Sequence, residues 1–171
     1  PLYSSAASDV YKRQAGIYVT GSDDAILSSN IVDDQTTYGV YIADSKRVKI
    51  KKNIIKTNNG DALFLSSNCD NAFIDNNTIK NNGDSDSGKA LRLYEVDNAV
   101  IFNNTIESND YSGIVITSSN SNKIVDNTIK ANGKYGIGVT NDITRSANNT
   151  IKDNIINDNQ DWAVYVNGIY T

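Results

Sequence analysis

A small residue followed by an apolar-x-apolar triplet returns along this chain at nearly constant spacing, and that periodicity leaves few folds open. The triplets follow Gly16, Gly39, Ala62, Ala90, Gly113 and Gly136, and a seventh begins at Ala163. The steps are 23, 23, 28, 23, 23 and 27 residues. A fixed period of this size belongs to a solenoid, in which each repeat buries its apolar side only against its neighbours.

Residues 39–60 show how one repeat is built. Val40 and Ile42 alternate with Tyr41, and Val48 and Ile50 alternate with Lys49 and Lys51. Such alternation is the period of a strand. Asn53 breaks it and Ile55 begins a third short strand, while residues 43–46 and 57–60 are polar turns. Three short strands cannot close a sheet within one repeat, so each pairs with its equivalent in the next, about 4.8 Å away. The expected fold is all-β: a parallel solenoid of about six rungs, three short strands to a rung, around a narrow apolar core. The first-strand core column reads Ile17, Val40, Leu63, Leu91, Ile114, Ile137 and Val164. The second reads Leu27, Ile50, Ile74, Ile101, Ile124 and Ile151, and the third Val32, Ile55, Ile79, Ile106, Ile129 and Ile156. Parallel strands favour such β-branched residues.

Two Asn columns punctuate the rungs. One is Asn30, Asn53, Asn77, Asn104, Asn127 and Asn154; the other is Asn58, Asn82, Asn109, Asn132 and Asn159. Asn tolerates left-handed backbone, so these residues are expected to take the turn conformation themselves. Stacked amides also satisfy one another in a near-buried corner, so Asn ladders are expected at the turns.

Composition narrows function by exclusion. Twenty acidic residues against 16 basic ones give a net charge of −4, unlike a nucleic-acid platform. The absence of His excludes His-based acid–base catalysis and His-metal sites. Cys69 is the single cysteine, so no internal disulfide forms, and its polar turn makes it an incidental loop thiol. No apolar run approaches the roughly 20 residues of a membrane helix. Residues 1–14 match no repeat column and resemble a translated sequencing-adapter remnant. The expected division is a non-native or lead-in segment over 1–14 and one solenoid domain over 15–171, truncated at both ends.

Residues 15–171 resemble the right-handed parallel β-helix superfamily with the pectin-lyase-like fold. The stretch from Asn103 through Thr105-Ile106, Asn109 and Gly113 to Ile116 carries the likeness well. The resemblance implies a right-handed single-stranded parallel β-helix and an extracellular, cell-surface or periplasmic location. It further implies that a polysaccharide, acidic ones included, is bound or processed along the outer face of the first sheet. Two readings stay open. One is an enzyme of the polysaccharide-lyase type, eliminating at a uronate. The other is a non-catalytic adhesin, structural stalk or tailspike-like scaffold.

The first-sheet outward column reads Tyr18, Tyr41, Phe64, Arg92, Val115, Gly138 and Tyr165. Aromatic rings one rung apart can stack on sugar faces or simply form a ladder that stabilises the sheet. Tyr41, Phe64, Arg92 and Tyr94 are candidate substrate-binding residues, and Arg145 joins them from the longer turn at residues 141–147. By resemblance to pectate lyases, Arg92 is the candidate catalytic base or carboxylate clamp. The enlarged turn at residues 84–87 supplies Asp84 and Asp86, which with Glu95 form a candidate Ca²⁺ site; a solvated acidic loop is the alternative. Lys46, Arg47, Lys49, Lys51, Lys52 and Lys56 form one basic edge. Outward on the second sheet, Ile26, Phe73, Val100, Phe102 and Val125 suggest an apolar face covered by another segment or by a homo-oligomer partner.

Overall fold

The computed structural model describes residues 15–84 and 88–167. Three parallel sheets are wound from strands that recur once per rung. The first sheet has seven strands, from Ile17–Thr20 through Leu91–Tyr94 to Val164–Asn167. The second has six, from Ile26–Ser28 to Thr150–Lys152, and the third six, from Ile31–Asp33 to Ile155–Asn157. Sheet neighbours are equivalent strands of successive repeats: Leu63 pairs with Val40 on one side and Leu91 on the other.

The core takes in the inner rungs of the three predicted columns and a fourth column on the first strands, Ile42, Leu65, Leu93 and Ile116. Ile42, Ile50, Ile55, Leu63, Ile74 and Ile101 are fully buried. Each such side chain contributes about 1.5–3 kcal/mol by leaving water. The small residue opening each triplet has a steric cause at Gly39 and Gly113. A Cβ on Gly39 would lie 2.6 Å from the Ala62 carbonyl oxygen, and one on Gly113 2.7 Å from that of Gly136.

The Asn ladders form. Asn53 Nδ2 donates to Asn77 Oδ1 at 3.0 Å, Asn77 to Asn104 at 2.9 Å and Asn104 to Asn127 at 3.0 Å. Asn58, Asn82, Asn109 and Asn132 repeat the pattern at the second corner. The ladder Asn residues do not take the left-handed backbone, contrary to expectation. The residue before each one does: Lys52 at φ 56°, Asn76 at 55°, Asn103 at 54° and Asp126 at 56°. The turn is made one position earlier, which leaves the next amide free to point inward at its stack.

Other surface expectations change on folding. Cys69 sits in its turn as expected but is buried there, at 0% accessibility. Burial pushes its thiol pKa up, which disfavours the reactive thiolate. Half of the basic edge is neutralised by the neighbouring rungs: Arg47 pairs with Asp24 at 2.8 Å, Lys56 with Asp33 at 2.8 Å and Lys46 with Asp70 at 3.7 Å. The second-sheet apolar face is smaller than the sequence suggests. Phe73, Val100, Phe102 and Val125 form a diagonal patch, but Lys49 separates Ile26 from Phe73.

Candidate functional site

Strand alternation decides what the first sheet shows to solvent. A Cβ on Gly113 would point inward, 2.7 Å from Ile129 Cγ2. Its neighbour Ser112 therefore projects outward. The same position on the other rungs holds Tyr38, Asp61, Lys89, Tyr135 and Trp162. This column runs beside the expected one of Tyr18, Tyr41, Phe64, Arg92, Val115, Gly138 and Tyr165, which pair in register.

The early rungs carry an aromatic cluster. Tyr18 stacks on Tyr41 with centroids 5.3 Å apart and planes at 11°. Phe64 meets Tyr41 edge-on at 5.2 Å, and Tyr38 packs 5.3 Å from Tyr41 and 5.7 Å from Phe64. Such contacts hold the rings in fixed orientations.

The later rungs carry cations. The Arg92 guanidinium lies 4.6 Å from the Phe64 centroid and 5.5 Å from that of Tyr94. It also sits 3.5 Å from Asp61 Oδ2, a carboxylate only 6% exposed. Asp61 Oδ1 accepts the Lys89 backbone N–H at 2.7 Å. Lys89 Nζ and Lys134 Nζ lie 5.3 and 4.5 Å from the centroid of the same ring, Tyr111. Lys134 donates to the Tyr111 hydroxyl, and that bond raises its pKa, so it stays cationic. Tyr135 stacks on Tyr165 at 4.5 Å.

These residues line two adjoining clefts. The larger, about 320 Å³, runs from Lys89 and Arg92 over Tyr111, Ser112, Val115 and Gly138 to Lys134, Tyr135 and Tyr165. The smaller, about 270 Å³, is lined by Thr37, Tyr38, Gly60, Asp61, Lys89 and Arg92. Lys89 and Arg92 are the shared wall. Among the described residues no acidic side chain lines the larger cleft. Arg92 thus sits where the two clefts meet, with Phe64 beside it.

The far edge of the sheet is a polar shelf. Tyr94 donates its hydroxyl to Asp142 Oδ2 at 3.2 Å. Partial burial, reinforced by that bond, raises the Tyr94 pKa. Ser118 Oγ accepts the backbone N–H groups of Asp142, Ile143 and Thr144 at 3.1, 3.1 and 3.2 Å, which pins the longer turn. Arg145 is exposed on that turn and lines neither cleft.

The described acidic candidates flank one strand. Asp84 precedes the strand Leu91–Tyr94, whereas Glu95 follows it and accepts the Ser67 hydroxyl at 2.6 Å. Asp86 lies outside the described residues. Among the described residues no three acidic or thiol side chains gather to hold a metal ion. Nor does any helix among them have the length and apolarity to cross a membrane.

Sequence reasoning missed Asp61, Lys89, Tyr111, Ser112, Lys134 and Tyr135. For Asp61, Lys89, Ser112 and Tyr135 the signal was available, since the residue before each triplet's small residue faces outward by alternation. That position varies between rungs, so it formed no recognisable column. Tyr111 and Lys134 lie one residue earlier, in the preceding bend.

The family described as "Right handed beta helix region" matches residues 15–171. The chain belongs to that family. Among solved structures it is similar to the periplasmic alginate epimerase AlgG, with 20% identity and a TM-score of 0.61 over 91% of this chain and 48% of that one. The A-module of the Azotobacter vinelandii mannuronan C-5 epimerase AlgE6 gives 16% identity and a TM-score of 0.64, covering 90% of this chain and 55% of that one. The enzymatically active domain of bacteriophage CBA120 tailspike protein 2 gives 16% and 0.57, covering 80% and 23%. The chain spans about half or less of these proteins. No curated protein matches it.

Proposed function

We propose that the outer face of the first sheet binds a polysaccharide carrying acidic groups. The observation that carries this reading is the convergence of Arg92, Lys89 and Lys134 on clefts floored by aromatic rings, in a chain whose net charge is −4. Rungs about 4.8 Å apart offer a ring or a cation at roughly the spacing of a polymer of sugar units. Half-buried Tyr41 supplies flat apolar surface for sugar C–H faces, Phe64 is only 8% exposed and backs the Arg92 guanidinium, and Arg92 offers a planar two-pronged donor for a carboxylate. Tyr94 orients the shelf beyond Arg92, and Arg145 reaches a bound polymer from the adjoining turn. The similar alginate epimerase and mannuronan C-5 epimerase support a carbohydrate partner. An extracellular, surface or periplasmic setting follows from that partner.

Arg92 suits the clamp role better than that of a base. Its guanidinium is engaged by Asp61 and by the Phe64 ring, which orients it to grip a carboxylate. A lyase working through this face would require Arg92 to take a proton from the sugar carbon. The test is a binding panel of polyuronates and neutral polysaccharides against the full chain, with Tyr41→Ala and Arg92→Gln, in the presence and absence of Ca²⁺. Selective retention of polyuronates that falls at least tenfold in both variants is expected. Equal retention of every polymer, or none by the folded chain, would leave the stalk reading. Release of unsaturated product by the wild type and not by Arg92→Gln would restore the lyase.

A further inference from the structure

Lys89, Lys134, Tyr111 and Ser112 all line the larger cleft. Two ammonium groups face one phenol ring, and among the described residues neither pairs with a carboxylate. Two cations lining one cleft raise the local potential in favour of an anion. Ser112 adds a second, independent sign. Its side chain is fully buried on the cleft wall, and its Oγ has no hydrogen-bond partner. A buried hydroxyl left unpaired costs free energy that a ligand atom would recover. Alternation aims it outward, and the rungs on either side place Lys89 and Tyr135 next to it.

We infer that Ser112, Lys89 and Lys134 form a pocket for one oxyanion substituent of a sugar, a carboxylate or a sulfate ester, with the Tyr111 hydroxyl at its edge. Ser112 donates its O–H to one anion oxygen while the two ammonium groups hold the others. The unbranched Lys134 side chain is the movable wall: it leaves Tyr111 for the anion and opens the way to Ser112. This site deepens the proposed polysaccharide reading and rests on it. It lies beyond Arg92, which with Lys89 also borders the smaller cleft and pairs there with Asp61. The pocket thus makes the later rungs selective for charge, whereas the early aromatic rungs accept a neutral sugar face.

The experiment measures calorimetric binding of three probes to the full chain: inorganic sulfate, a uronate oligosaccharide and a sulfated oligosaccharide of matched length. Each is run on wild type, Ser112→Ala, Lys134→Gln and Tyr41→Ala, with circular dichroism confirming the fold. Loss of one hydrogen bond to a charged group predicts about a tenfold weakening in Ser112→Ala. Lys134→Gln should weaken charged probes by at least as much, and Tyr41→Ala should leave inorganic sulfate unchanged. The stronger of the two oligosaccharides identifies the substituent. Binding of oligosaccharide that is lost in Tyr41→Ala but unchanged in Ser112→Ala and Lys134→Gln would overturn the pocket and keep the polysaccharide reading. Sulfate binding that needs Ser112 and Lys134, with no oligosaccharide bound, would keep the pocket and overturn that reading.

Discussion

The corner that holds Asn77 and Asn104 and the outer face that holds Phe64 and Arg92 belong to the same two rungs, yet they follow opposite rules. At the corner each rung repeats the last, because every amide must accept from one neighbour and donate to the next. On the outer face Phe64 gives way to Arg92, then Val115, then Gly138. A stack requires identity, whereas a surface that recognises an irregular partner requires difference. The contrast teaches where to look in a solenoid: function is written in the columns that fail to repeat.

The largest expected break comes from the corner. Asn104→Ala removes donors to Ile74, Phe102 and Asn127 and the acceptor for Asn77. A loss on the order of 3–5 kcal/mol is expected, with unpaired buried groups left above and below. Chemical denaturation reads it directly, and a shift below about 1 kcal/mol would remove the ladder from the account of stability.

Arg92→Gln should divide the two properties. It gives up the ion pair to Asp61, a nearly buried carboxylate, so a modest loss of about 1 kcal/mol is expected. Polyuronate affinity should drop tenfold or more. A variant that loses stability but keeps its affinity would make Arg92 a structural residue.

Gly138 offers a finer probe. A Cβ there would sit 3.4 Å from Tyr135 Cδ2 and 3.8 Å from Val115 Cγ2, ordinary contact distances. Gly138→Ala should fold normally and narrow the larger cleft, weakening polymer binding several-fold. An unchanged affinity would show that the ligand does not reach the cleft floor.

The smallest effect belongs to the exposed ion pairs. The hydrogen bonds from Arg47 and Lys56 lower the pKa values of Asp24 and Asp33 below the ordinary carboxylate value. A depressed folded-state value stabilises above the unfolded pKa of about 4, and that contribution disappears as pH falls through the folded value. Thermal melts should therefore fall slightly more from pH 5 to pH 3 in wild type than in Asp24→Asn/Asp33→Asn. Half-molar salt should shrink the difference, since these pairs are solvent-screened. Equal acid sensitivity in both proteins would show that the pairs contribute nothing.

The repeat period, the three core columns and both Asn ladders were legible in the residues. They recur because each rung meets an identical neighbour, so the same side chain is needed in the same place. The location of the left-handed residue was misread by one position, because Asn is permissive of that backbone and the ladder's demand for an inward amide outweighs the preference. Arg92, Tyr41 and Phe64 were readable as outward neighbours from alternation alone.

The sequence by itself determined the solenoid and the order of residues along its outer strands. Only the tertiary structure decided which of those residues act together. Lys89, Ser112 and Lys134 lie on three successive rungs, 45 residues apart from first to last in the chain, and converge because coiling brings each rung back over the one before. The same coiling turned half of a basic edge into ion pairs. Periodic stacking is a local demand written once per repeat. A site depends on which side chains from different rungs end up side by side, and that is settled when the coil closes.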